Sequence, residues 1–102
     1  MKQLVFTVYD QKAKAHLTPF FLLQEQQAIR AFTDCVNSDD HPFGKHPEDY
    51  TLIQIGEFDD SDGKLFPFDI PATIGTGINY LSHPTTPEPA SAADPEEKSN
   101  VN

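Results

Sequence analysis

His41-Pro42-Phe43-Gly44-Lys45-His46-Pro47-Glu48-Asp49-Tyr50-Thr51-Leu52-Ile53-Gln54-Ile55-Gly56-Glu57-Phe58-Asp59-Asp60 is the stretch from which the fold is read. A polar segment broken by Pro42 and Pro47 runs into an apolar segment, which ends at an acidic turn. Leu52, Ile53, Ile55 and Phe58 place apolar side chains on both faces of a strand over residues 50–58, as a central position in a sheet requires. Asp59-Asp60-Ser61-Asp62-Gly63-Lys64 reads as a hairpin connection with Asp62-Gly63 as its turn. Leu65-Phe66-Pro67-Phe68 is then the returning strand. Pro67 has no N–H to donate, so this strand is expected to be short and at an edge.

Working back from that centre, residues 2–10 alternate. Leu4, Phe6 and Val8 fall on one face, and Val5, Thr7 and Tyr9 on the other, which predicts a second central strand. Residues 10–18 are polar and carry Lys12, Lys14 and His16. Pro19 opens Phe20-Phe21-Leu22-Leu23, an edge strand or an extended packing segment. In residues 25–36, Ala28, Ile29, Phe32, Cys35 and Val36 recur at helical spacing and form one apolar stripe. Glu25 suits the positive end of that helix, and Arg30 and Asp34 form a weak pair four residues apart. Asn37 is expected to end the helix in the left-handed conformation.

Residues 38–49 form a long polar connection, a length at which loops are often functional. Downstream, Ile70, Ile74, Ile78 and Leu81 have near-helical spacing, but Gly75 and Gly77 would each cost about 1 kcal/mol inside a helix. A short helix and an extended segment are both open for residues 69–82. The chain then changes character. Pro84, Pro87 and Pro89 precede small and charged residues without aromatics, which reads as a disordered acidic tail over residues 83–102.

The expected fold is α+β: a small antiparallel sheet of three to four strands with one main helix packed on one face, in a single domain over residues 1–82. The expected core is Leu4, Phe6, Val8, Phe21, Ala28, Ile29, Phe32, Val36, Leu52, Ile53, Ile55, Phe58 and Leu65. A domain this small buries only about 60–65% of its chain surface, so an edge strand is also a candidate surface for homodimer formation.

Charge narrows the function. Sixteen acidic against seven basic residues give a net charge of −9, which disfavours phosphate backbones and anionic membranes. Direct nucleic-acid binding is expected to be weak or absent. A single cysteine excludes an internal disulfide framework and fits a reducing compartment. The N-terminus is too short and polar for a signal peptide, and no apolar run approaches the ~20 residues that span a bilayer. The expectation is a soluble intracellular protein.

Candidate sites follow from residue chemistry. His41, His46, Glu48 and Asp49 are potential metal ligands, but their spacing is unspecific and ordinary loop polarity explains them better. Asp59 to Gly63 does not match a calcium loop, because position one would fall on Phe58. Cys35 on an apolar stripe behaves as a small hydrophobe. Gly75-x-Gly77 lacks the rest of a phosphate cradle. No catalytic residue, metal or other cofactor is therefore expected. Tyr9, Phe43 and Tyr50 with Lys12, Lys14 and Lys45 could form a small aromatic and basic patch for single-stranded DNA. Against that stands the simpler assignment of the tyrosines to the sheet and the lysines to solvated loops. The favoured contact is the 41–49 connection itself. Pro42 and Pro47 stiffen it, Gly44 allows a bend, and the loop would present Phe43, Lys45, His46, Glu48 and Asp49 to a partner; equally open is that the prolines merely route the chain from helix to sheet.

These residues carry a family resemblance. Ala28-Ile29-Arg30-Ala31-Phe32, Val36-Asn37, Lys45-His46-Pro47-Glu48-Asp49-Tyr50-Thr51-Leu52, Gly56-Glu57-Phe58-Asp59-Asp60 and Gly63 together resemble the small nonstructural proteins of gokushoviruses. Val8-Tyr9-Asp10-Gln11-Lys12-Ala13 and Pro19-Phe20-Phe21 fit the same pattern, so the resemblance covers roughly residues 4–68. It does not extend to the tail. The resemblance implies a protein encoded by a single-stranded DNA phage of the Microviridae, outside the capsid, in the cytoplasm of the bacterial host. By genome context, such proteins are likened to the coliphage factor that turns replication from duplex copying to single-strand synthesis and packaging. It implies no catalytic residues. The leading expectation is a non-enzymatic accessory protein that acts in genome replication or packaging by contacting a phage or host protein. The alternative is direct single-stranded DNA binding.

Overall fold

A computed structural model describes residues 1–82; the tail expected over residues 83–102 lies outside the described residues. The sheet is antiparallel and five-stranded. Its strands are β1 (Lys2–Asp10), β2 (Ala15–His16), β3 (Phe20–Leu22), β4 (Tyr50–Asp59) and β5 (Lys64–Thr76). The order is β2-β1-β4-β5, and β3 pairs with β1 beyond the end of β2. Helix α1 (Glu25–Val36) is the main helix, and α2 (Pro42–Lys45) is a single turn. Short 3-10 helices cover Pro47–Asp49 and Gly77–Tyr80.

Strands β1 and β4 are central, as their two-sided apolar patterns predict. Opposite residues share a face, so Val8 beside Leu52 and Phe6 beside Gln54 define the side covered by α1. There Phe6, Val8 and Leu52 pack with Ala28, Phe32, Val36 and Phe43 to form the buried core. The α1 stripe therefore does what its spacing requires. Its N-terminus is closed by Gln27, whose side-chain oxygen accepts the Gln24 amide at 3.0 Å and the Leu23 amide at 3.1 Å.

Several expectations need correction. The polar segment after β1 contributes β2, which pairs His16 with Tyr9 after a tight turn with Lys14 at φ 55°. This raises the strand count above three to four. Strand β5 is 13 residues long and contains Pro67, which an edge strand tolerates. Of the two readings open for residues 69–82, the extended one holds as far as Thr76, because Thr76, Gly75, Thr73 and Ala72 pair with β4, and a 3-10 helix follows over Gly77–Tyr80. The irregular register of β5 lets residues 68–71 loop out between Ala72 and Pro67, leaving Ile70 85% exposed. Asn37 ends α1 at φ −96°, ψ 11°, not in the left-handed region. Its side chain serves a tertiary purpose instead. It donates to the Thr33 and Tyr80 carbonyls at 2.8 and 2.9 Å and accepts the Ser82 amide at 2.7 Å. Among the described residues, Arg30 and Asp34 form no ion pair; Lys2 and Glu57 do, at 3.6 Å.

Phe21 and Leu65 were expected in the core, but they are 43% and 58% exposed. Register explains both. Phe21 lies opposite Val5, and Leu65 lies opposite Phe58, on the sheet face away from α1. Leu4, Ile29, Ile53, Ile55 and Phe58 are half-buried.

Candidate functional site

The 41–49 connection is built from two tight turns. His41 is extended at φ −100°, ψ 141°, as a residue before proline tends to be, and Pro42 occupies the first helical position of α2. The His41 Nδ1 accepts the Phe43 amide at 3.1 Å, so His41 caps the turn. Gly44 lies against the backbone at the end of α1, where a Cβ would collide with the Ser38 carbonyl oxygen. This packing turns Phe43 inward. Phe43 is 9% exposed, with its ring 5.6 Å from Phe32 and 4.5 Å from Tyr50. The expectation that Phe43 is displayed to a partner is thus overturned: the gap between α1 and β4 is filled by this ring. Lys45, His46 and Glu48 remain exposed, while Asp49 is buried.

The second turn groups three of the predicted residues. A 3-10 helix has three residues per turn, so positions three apart eclipse. His46, at its N-terminal boundary, and Asp49 accordingly share a side, and Glu48 reaches the same space. One ligand-capable atom from each of His46, Glu48 and Asp49 lies within 4.8 Å of the others. The turn is held from three directions. The His46 carbonyl accepts the Asp49 amide at 3.0 Å, and the Asp49 carbonyl accepts the Gln11 amide at 2.8 Å. Buried Pro47 packs so closely on Gly77 that a Cβ there would lie 2.5 Å from the Pro47 oxygen.

The Gln11 bond also brings the β1–β2 turn, with its exposed Lys12 and Lys14, beside this cluster. Tyr9 is half-buried against His16, with ring centroids 4.8 Å apart. Burial, followed by the charges of Asp10 and Asp49, pushes the Tyr50 phenol above its ordinary value. The postulated DNA patch therefore loses Phe43 to the core, and carboxylates lie among what remains.

Two features went unrecognised in the sequence. A cavity of about 260 Å³ opens between α1 and the β2–β3 connection, lined by Val8, Leu17, Phe20, Phe32 and Cys35 among others. Burial, then Asp34, pushes the Cys35 thiol up, which makes it a poor nucleophile at neutral pH. The second feature is the apolar sheet face opposite α1. Phe21 and Phe58 meet edge to face at 5.5 Å, and Leu65 and Pro67 flank buried Val5. The signal for this face was present in the alternation of β1 and in Phe21, but only strand register shows that nothing covers it among the described residues.

Comparison with known proteins agrees with the resemblance. Residues 3–80 match the family described as phage ORF5 protein. Protein ORF5 of Chlamydia phage 1 is 35% identical over 83 residues, covering 78% of this chain and 84% of that protein. No solved structure matches. Among the described residues, no helix is long and apolar enough to cross a membrane. The matched region takes in all five strands and α1, and on that basis the chain belongs to the phage ORF5 protein family, the small nonstructural proteins of gokushoviruses.

Proposed function

We propose that this phage protein is a non-enzymatic accessory factor that acts in single-stranded DNA genome replication or packaging by contacting a phage or host protein. The observation that supports protein contact is the uncovered apolar face. Phe21 and Leu65 stand 43% and 58% exposed over it. Exposed apolar patches with polar rims are the usual mark of protein interaction sites. The rim here is acidic, with Asp59, Asp60 and Asp62 in the β4–β5 hairpin beside Phe58 and Leu65. At a net charge of −9, the chain is best matched by a partner with a basic rim, ahead of a second copy of itself. On this reading the protein acts in the cytoplasm of the infected bacterium, with replication or packaging proteins as its partners.

The test compares the native chain with a Phe21→Ser, Leu65→Ser variant. Phe21 packs edge to face on Phe58, so Phe21→Ser is expected to cost about 1–3 kcal/mol and Leu65→Ser less, and circular dichroism checks that the variant is folded before the comparison. Pull-down from infected cells with the native chain is expected to recover the phage replication initiator, a packaging protein or a host replication protein, and the variant should lose it. Recovery of none of these, or equal recovery by both chains, overturns the reading. A native dimer that the variant dissociates would assign the face to a second copy. Direct single-stranded DNA binding would appear instead as oligonucleotide retention that falls steeply with salt.

A further inference from the structure

We infer that His46, Glu48 and Asp49 form a binding site for a divalent transition-metal ion of the Zn2+ or Mn2+ class. Sequence spacing alone argued for ordinary loop polarity; the folded turn supplies two independent observations against that. The first is convergence. One imidazole nitrogen and two carboxylate oxygens lie within 4.8 Å of one another. The second is the state of Asp49. It is 7% exposed, yet among the described residues no hydrogen-bond donor or cation partners its carboxylate. A buried carboxylate normally has a partner, because removing an unpaired charge from water is costly. A cation at the centre of this cluster would be that partner.

The donor set indicates the class of ion. Imidazole suits zinc and its neighbours, whereas magnesium and calcium prefer oxygen ligands alone. At zinc bond lengths, ligand atoms around one ion stand about 3.3 Å apart. The cluster must therefore tighten. His46 and Glu48 are exposed and can do so by rotation, whereas Asp49 is held by its burial and by backbone bonds to His46 and Gln11. His41 takes no part, because its Nδ1 already caps α2. Three protein ligands leave coordination positions open to water or to an outside donor.

The experiment is independent of partner identity. The full chain, stripped with chelator, is titrated calorimetrically with ZnCl2 and followed by thermal unfolding; MnCl2 with electron paramagnetic resonance is the second probe. One ion per chain and a raised Tm are expected. Loss of an outer-shell group alone typically weakens metal binding ~10–100-fold, so Asp49→Asn and His46→Ala should each weaken it by at least that much. Asp62→Asn, in the hairpin at the opposite end of β4, should leave it unchanged. Zn2+ should raise the Tm of the native chain and leave that of Asp49→Asn unchanged. If the native chain binds neither ion, or if binding survives His46→Ala and Asp49→Asn, the site does not exist.

Discussion

Phe32 of α1 and Phe43 of α2 face each other with ring centroids 5.6 Å apart, closing the core at the end where the polar connection enters β4. A segment that reads as an exposed loop thus contributes a core aromatic. Phe43→Ala is expected to cost about 3–4 kcal/mol by leaving a cavity, and Phe32→Ala a similar amount. Urea unfolding of each variant gives the value. A loss below about 1 kcal/mol for Phe43 would mean that its ring is displayed to solvent after all.

Gly44 offers a sharper test of the same packing. A Cβ at this position meets the Ser38 carbonyl oxygen, a backbone atom that cannot rotate away. Gly44→Ala should therefore destabilise the chain by roughly 1–3 kcal/mol, although alanine favours helices over glycine. Equal or greater stability in thermal unfolding would show that α2 does not lie against the end of α1.

Acid dependence should localise to the β4–β5 hairpin. The Ser61 backbone amide donates to the Asp59 carboxylate at 2.9 Å and, as the main cause, holds it below its ordinary value of 3.8. A carboxylate depressed by folding contributes stability that is present above its unfolded value and is lost as pH falls through the folded one. Asp59→Asn should thus lower stability at neutral pH and converge with the native chain as pH falls below about 4, which flattens that part of the acid decline. Stability measured against pH for both chains checks this; identical acid limbs would remove Asp59 from the account. The group is solvent-exposed, so the effect should shrink with added salt.

The sequence by itself determined the central strands β1 and β4, the limits of α1, the Asp62-Gly63 turn and the acidic character of the surface. Those features rest on local patterns: period-two alternation, helical spacing, and a glycine at φ 75° in the turn. Tertiary structure decided the rest. Whether Phe43 points in or out depends on how α1 and β4 pack on either side of it, which no pattern within residues 41–49 encodes. Whether Phe21 and Leu65 are core or surface depends on strand register, since a strand residue's face has meaning only once its neighbours are known. Residues 69–76 carry a near-helical pattern, yet pairing with β4 draws them into strand. The candidate site shows the same division. His46, Glu48 and Asp49 are legible as polar residues of the right chemistry, but their convergence comes from one 3-10 turn fixed by Pro47 on Gly77 and by Gln11 on Asp49. Those contacts join segments that are distant in the chain, and local residue patterns do not encode them.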